Sequence, residues 1–259
     1  MNQQQLQDIS TELYRSLREA KAVSPLTTRY PDISIDDAYR VSLNMLAMRE
    51  ADGEKLIGKK IGVTSNAVQS MLNVRQPDFG FLTDKMICDG ELSLSNMIAP
   101  RAEGEIAFLL KSDLKGPGVT EADVLAATEA VMPCFEIVDS RIADWKIKIQ
   151  DTVADNASCG YFAVNSAAAI DPKQVDLINC EMQVWKNGEK LSFGTGAEAL
   201  GNPLTCVAWL ANTLGEYGIS LSKGDIILSG SLVPLEYVKP GDKMSLDISG
   251  IGSLALDFI

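Results

Sequence analysis

The sequence predicts an α+β chain, with a helical N-terminal portion over residues 1–54 and a β-rich portion over residues 55–259 that carries a few helices on its outside. Three observations predict it. Apolar residues recur at helical spacing in two blocks before residue 54. From Lys55 onward the apolar runs are short and punctuated by glycine, as in KLIGKKIGVTS, which favours strands and tight turns. The runs are not separated by regular helices, and both GxGxxG and the P-loop pattern are missing, so a nucleotide-binding βαβ fold does not fit. A chain of 259 residues can bury a full core, and no internal repeat or low-complexity segment interrupts it.

The elements follow in order. Leu6, Ile9, Leu13 and Leu17 predict an amphipathic helix over residues 3–20, and Pro25 ends that region. Ser34 with Asp37 forms a capping-box pattern that opens a second helix along Ala38, Val41, Met45 and Met48, with Gly53 as its stop. These two helices are expected to form a cap or an oligomer contact. A short helix is expected from Ser65 to Leu72, then a turn at QPDFG built on Pro77 and Gly80. The run PRAEGEIAFLL reads as a strand. Thr120 and Asp123 open a helix through Val124, Ala127 and Val131 that Pro133 is expected to terminate, and a second strand follows in PCFEIVDS. Asn187-Gly188 between CEMQVW and EKLSFG is a strong hairpin signal. Asn202 and Pro203 start a helix carrying Leu204, Val207, Ala211 and Leu214, which Gly218 ends. Strand and turn return in GDIILSG, KPGD and the alternation Leu254, Leu256, Phe258.

Composition narrows the chemistry. A formal charge of -12 argues against a nucleic-acid surface and against anionic membranes. The five cysteines are scattered without a CxxC pair and read as reduced thiols. The start MNQQQLQDISTELY lacks the basic and apolar blocks of a signal peptide, and no run is long enough to span a bilayer, so a cytoplasmic location is expected. The chain contains no histidine. That removes Ser-His-Asp and Cys-His catalysis, HExxH zinc sites and any histidine base. Acid and base work falls to Lys, Asp, Glu, Tyr, Cys or metal-bound water.

Carboxylates supply the leading candidates. Glu103 and Glu105 are two apart, so on a strand both emerge on one face, and Glu136 shares a face with Cys134 and Val138 in the next strand. Two neighbouring strands would gather three carboxylates, whose repulsion calls for a cation or raised pKa values. All-oxygen ligation favours Mg2+ or Mn2+ over zinc. The alternative places Glu103 and Glu105 on the solvent face of the same strand. Lys60, between Gly58 and Gly62, can be held near a ligand, or can form a surface basic pair with Lys59. Asp78 can serve the site or cap a turn. Asp155, Asn156 and Ser158 form a polar cluster that binds substrate or satisfies loop backbone, and Ser229 and Ser231 follow an apolar strand at a pocket mouth.

Taken together and in order, GKKIGVTS, QPDFG, PRAEGEIAFLL, PCFEIVDSRIADWKIKIQDTVADNASCG, LGNPL and GDIILSGSL resemble the 2-keto-4-pentenoate (2-hydroxypenta-2,4-dienoate) hydratases of bacterial aromatic meta-cleavage pathways, within the fumarylacetoacetate hydrolase superfamily. The block from Pro133 to Gly160 is the most specific part, and the resemblance covers nearly the whole chain. It implies a mixed β-sheet roll of the fumarylacetoacetate hydrolase C-terminal type with peripheral helices, making residues 55–259 the catalytic domain. It implies Glu103, Glu105 and Glu136 as ligands of a divalent metal, Mg2+ or Mn2+, with Lys60 near the substrate and Asp78 and Ser158 in the pocket. It further implies a small dienoate substrate and a homo-oligomer, with the pathway's decarboxylase as a possible partner. A metal-dependent 4-oxalocrotonate decarboxylase of the same pathway is the nearest alternative.

Overall fold

The structure is a computed structural model, and it describes residues 1–65, 69–70 and 73–259. Helix α1 (Gln3–Glu19) is closed at its start by an Asn2–Gln5 capping box and buries Leu6, Ile9 and Leu13 against α3 (Ile35–Ala51). The Ser34–Asp37 box opens α3 as the sequence predicts. A single turn, α2 (Leu26–Arg29), follows Pro25. The expected helix from Ser65 to Leu72 falls on positions that include 66–68 and 71–72, outside the described residues.

Beyond Gly53 the chain enters the first sheet. Its strands are β1 (Leu56–Gly62), β2 (Asp78–Thr83), β4 (Arg101–Leu110), β5 (Thr128–Val138), β6 (Cys159–Val164) and β9 (Ile226–Ser231), in the order β2-β1-β9-β4-β5-β6, with the short β10 (Glu236–Tyr237) added on β4. Among the described residues, the β1–β9 ladder alone of this sheet's strand ladders is parallel. The two ends of the sheet meet. Just past β2, Cys88 donates its N–H to the Phe162 carbonyl and Phe162 donates back to the Met86 carbonyl, each at 2.9 Å. The Asn156 carboxamide accepts from Phe81 N–H (2.8 Å) and donates to the Phe81 carbonyl (3.0 Å), standing in for a neighbouring strand. The sheet thereby closes into a roll. One end of its interior is packed with Leu82, Met86, Met132, Phe162 and Leu228 beside Cys134 and Cys159.

A second sheet runs β3-β12-β11-β7-β8, where β3 is Glu91–Leu92, β7 Glu181–Lys186, β8 Glu189–Thr195, β11 Lys243–Ile248 and β12 Gly252–Phe258. The Asn187-Gly188 hairpin joins β7 to β8 with positive φ at both residues, 55° and 85°. This sheet lies against the outer face of β4 so closely that a Cβ on Gly104 would stand 2.5 Å from Met182 Sδ. Helices α4 (Glu121–Ala127) and α6 (Pro203–Glu216) pack together, with α6 also on β9 and β1, while α5 (Ile149–Ala154) lies on α3. Among the described residues no helix is long and apolar enough to cross a membrane.

Two expectations are corrected. The helix opened by Thr120 stops at Ala127, and Val131 and Pro133 belong to β5. Pro133 is tolerated there because its carbonyl accepts from Asn165 N–H on the β6 side, where that ladder has already ended at Val164, so the missing N–H costs no bond to β4. QPDFG is not a turn throughout, since Asp78 begins β2 and Gly80 lies inside it. Glycine is required at 80 by space, as a Cβ would meet the Asn156 carbonyl oxygen at 2.5 Å.

Candidate active site

Strand β4 presents Glu103 and Glu105 on one face, and antiparallel pairing sets Glu103 opposite Glu136 and Glu105 opposite Cys134. Each of the three glutamates offers a carboxylate oxygen, and these oxygens lie within 4.8 Å of one another. The solvent-face alternative is removed for Glu105, which is fully buried like Glu136, while Glu103 is half-buried. Among the described residues, Glu105 Oε1 and both oxygens of Glu136 are buried without a hydrogen-bond partner. The other Glu105 oxygen accepts from Gly230 N–H at 2.8 Å. Burial and the Glu136 charge push the Glu103 carboxyl up to about 7, against the pull of Lys60, and hold Glu105 well above the ordinary range. Buried, orphaned and mutually repelling oxygens are what a hard divalent cation relieves, so the donor set fits Mg2+ or Mn2+.

Lys60 leaves β1 toward this group and its Nζ lies 3.3 Å from Glu136 Oε1. Burial opposes its charge, but Glu136, Asp78, Cys159 and Glu103 outweigh that, so its pKa is raised and it stays an ammonium. The basic-pair alternative fails because both lysines are buried, and Lys59 pairs separately with Asp225 at 2.5 Å. Asp78 is paired across β1–β2 with Gly62. A Cβ on Gly62 would lie 2.4 Å from Asp78 Oδ1 and 3.1 Å from Lys60 Nζ, so the bare glycine lets ammonium and carboxylate crowd over one spot. Burial raises Asp78 to about 6, with Lys60 pulling it down and Glu136 pushing it up.

The polar cluster after α5 divides. Asp155 is bound by the Arg141 backbone N–H and guanidinium, and Asn156 by the Phe81 backbone, so both direct their polar atoms at the protein itself instead of at a ligand. Ser158 is buried with its hydroxyl 3.2 Å from that of Thr152. Asn156, Ala157 and Ser158 all hold φ near 55°, a left-handed turn that costs non-glycine residues about 1–2 kcal/mol each. Val63 is also left-handed at φ 57°, one residue from Gly62. Ser231 stands opposite Glu105 and its hydroxyl donates to the Val233 carbonyl at 2.5 Å, whereas Ser229 donates to the Ile106 carbonyl.

Three residues at the site carry no motif of their own. Gly230 is at φ 102° with Thr64 packed where a Cβ would be, and it aims its N–H at Glu105. Cys134 and Cys159 line the cluster, their thiols pushed up by burial and by the neighbouring glutamates. Only the alternation in PCFEIVDS and the glycines around LSGSL signal any of them. A separate cleft of about 240 Å³, lined by Arg18, Arg49, Lys85 and Asp139 among others, holds none of the predicted site residues.

Residues 61–258 match the fumarylacetoacetate hydrolase C-terminal family. The chain belongs to this family. Among curated members it is 57% identical over 250 residues to 2-hydroxyhexa-2,4-dienoate hydratase of Comamonas testosteroni, covering 95% of this chain and 94% of the relative. It is 60% identical over 223 residues to 2-hydroxypent-2,4-dienoate hydratase of Pseudomonas putida, covering 85% of this chain and all of the relative. Among solved structures, 4-oxalocrotonate decarboxylase from Pseudomonas putida G7, complexed with magnesium and adipate, matches with a TM-score of 0.97 at 34% identity, over 100% of this chain and 99% of that one. The family's roll is thus the one the strand order describes, and a relative of this shape is complexed with a hard divalent ion.

Proposed function

We propose that the chain is a divalent-metal-dependent hydratase that adds water to 2-hydroxypenta-2,4-dienoate, giving 4-hydroxy-2-oxopentanoate. The observation that carries this reading is the placement of Lys60 and Asp78 directly beside the trio of half-buried Glu103 and buried Glu105 and Glu136. Relatives named as hydratases of pentadienoate and hexadienoate, at 57–60% identity, support the substrate class.

Glu103, Glu105 and Glu136 would hold the ion, which supplies Lewis-acid stabilisation of negative charge on the 2-oxygen and carboxylate of the substrate. The chain's own residues do the rest. Lys60, held as an ammonium, would steady developing negative charge and draw Asp78 toward its carboxylate form. Asp78, whose proton leaves at about 6, is poised to exchange one near neutrality. It accepts the enol proton and returns one at C5, which yields the 2-oxo-3-enoate. As a carboxylate it would then orient water for attack at C4, take one proton from that water and pass it to C3, which completes the addition. Ser158, hydrogen-bonded to the Thr152 hydroxyl and next in sequence to Cys159 at the cluster, would line the substrate pocket. The reading includes a homo-oligomer and contact with the pathway decarboxylase; Leu191 and Phe193, exposed on edge strand β8, offer apolar surface for such contacts.

Mass analysis of the product from 2-hydroxypenta-2,4-dienoate, with Mn2+ and after chelation, tests the reading. Metal-dependent gain of one water is the expected result. No turnover, with carbon dioxide released from 4-oxalocrotonate instead, would establish the decarboxylase alternative.

A further inference from the structure

Within the carboxylate trio, Glu136 is the member that a lysine reaches. Glu105 is anchored by the Gly230 N–H, whereas among the described residues both Glu136 oxygens lack a hydrogen-bond partner and one lies 3.3 Å from Lys60 Nζ. Glu136 therefore has a cation on one side and the two other glutamates on the other. We propose that Lys60 and the divalent ion compete for Glu136, so that Lys60 is a built-in brake on metal affinity. The inference rests on the reading of the trio as a metal centre.

Its physics is simple. Two cations that share one carboxylate in a dry site repel each other across a few ångströms of weakly screening protein. Lys60 cannot withdraw to water, because its side chain is only 4% exposed. Its other close counter-charge is Asp78, which shares with it the space over Gly62. Lys59 offers no relief, being held by Asp225. An ion that takes Glu136 loosens Lys60 and leaves Asp78 as its remaining partner. Metal loading thus draws Lys60 toward the acid it works with, while the residual hold of Lys60 on Glu136 keeps the ion exchangeable. Coupling of this kind is reciprocal, so whatever Lys60 takes from metal affinity, the ion takes from the Lys60–Glu136 contact.

The test is a titration of Mn2+, followed by the electron paramagnetic resonance of the free ion, into the wild-type protein, Lys60→Met and Lys60→Gln. The neutral variants should bind roughly 5- to 150-fold more tightly, the usual span of a coupling between two sites. Gln keeps a polar end over Gly62 in case Met does not fold, and a thermal melt of each variant verifies the fold. Equal or weaker binding by a folded neutral variant overturns the competition, because a lysine that merely supports the site would weaken it when lost. Absence of saturable binding by the wild-type protein overturns the metal-centre reading itself, a result separable from the first.

Discussion

Gly62 is the residue on which the Lys60–Asp78 pair depends, since any side chain there must enter the space that both charged ends share. Gly62→Ala should lower kcat on the order of 100-fold, the scale at which a displacement of about 1 Å acts on catalysis. Mn2+ affinity should shift far less than kcat, because the substitution does not touch the glutamates and reaches the ion only through Lys60. Steady-state kinetics beside a metal titration checks this, and a wild-type kcat would show that the pair is not needed. Glu105 makes the converse case. Glu105→Ala should abolish metal-dependent turnover while circular dichroism reports a folded protein, and retained turnover with ordinary metal dependence would remove Glu105 from the ligand set. Asp78→Asn should reduce hydration far more than metal affinity; an equal loss in both would move Asp78 into the ion's own shell. The carboxylates could be read from the sequence because period-two spacing on a strand fixes which residues share a face. Gly62 could not, because the group it makes room for arrives from another strand.

Among the elements, strands β4 and β5 were legible through alternation, and α1, α3 and α6 through periodicity and caps. The segments that misled carry local signals overridden by pairing. Thr120 caps a helix correctly, but the ladder from β4 recruits the chain at Thr128, before the helical pattern is exhausted. Asn156 is the sharper case. Its sequence neighbours suggest a ligand loop, yet its carboxamide closes an open strand edge 75 positions upstream in sequence, at Phe81. A pattern in sequence has no means of revealing a partner that distant. Asn156→Ala would leave the buried Phe81 N–H and carbonyl without that partner, at a cost of about 1–3 kcal/mol for each group left unsatisfied. A urea denaturation midpoint well below wild type is expected; an unchanged midpoint would mean that the roll closes without Asn156. Hydrogen exchange should locate the loosened amides in β2 and spare β4.

At the scale of the whole molecule, the absence of histidine makes one pH window informative. No ordinary side chain titrates between pH 5 and 7 in this chain, so a change of stability there reports displaced carboxyls. In the folded protein Asp78 and Asp155 hold their protons to about 6 and Glu103 to about 7, each through burial first, against ordinary values of 3.8 and 4.5. Between those limits the folded state binds more protons than the unfolded chain, so stability is highest at the acid side and is lost as pH rises. Carboxyls shifted the other way, such as Glu54 beneath Thr83, Arg18 and Arg49 or Asp37 beside the N-terminal ammonium, have finished titrating below pH 5 and do not interfere. Chelator-treated protein should therefore melt at a lower temperature at pH 7 than at pH 5. Saturating Mn2+ should oppose the trend, because an ion that binds only the folded state stabilises it, and it binds better as Glu103 and its neighbours lose their protons. A melting temperature that is flat or rising from pH 5 to 7 without metal would mean that the buried acids are ionised throughout. That would leave the trio without the electrostatic strain from which its affinity for a cation is argued.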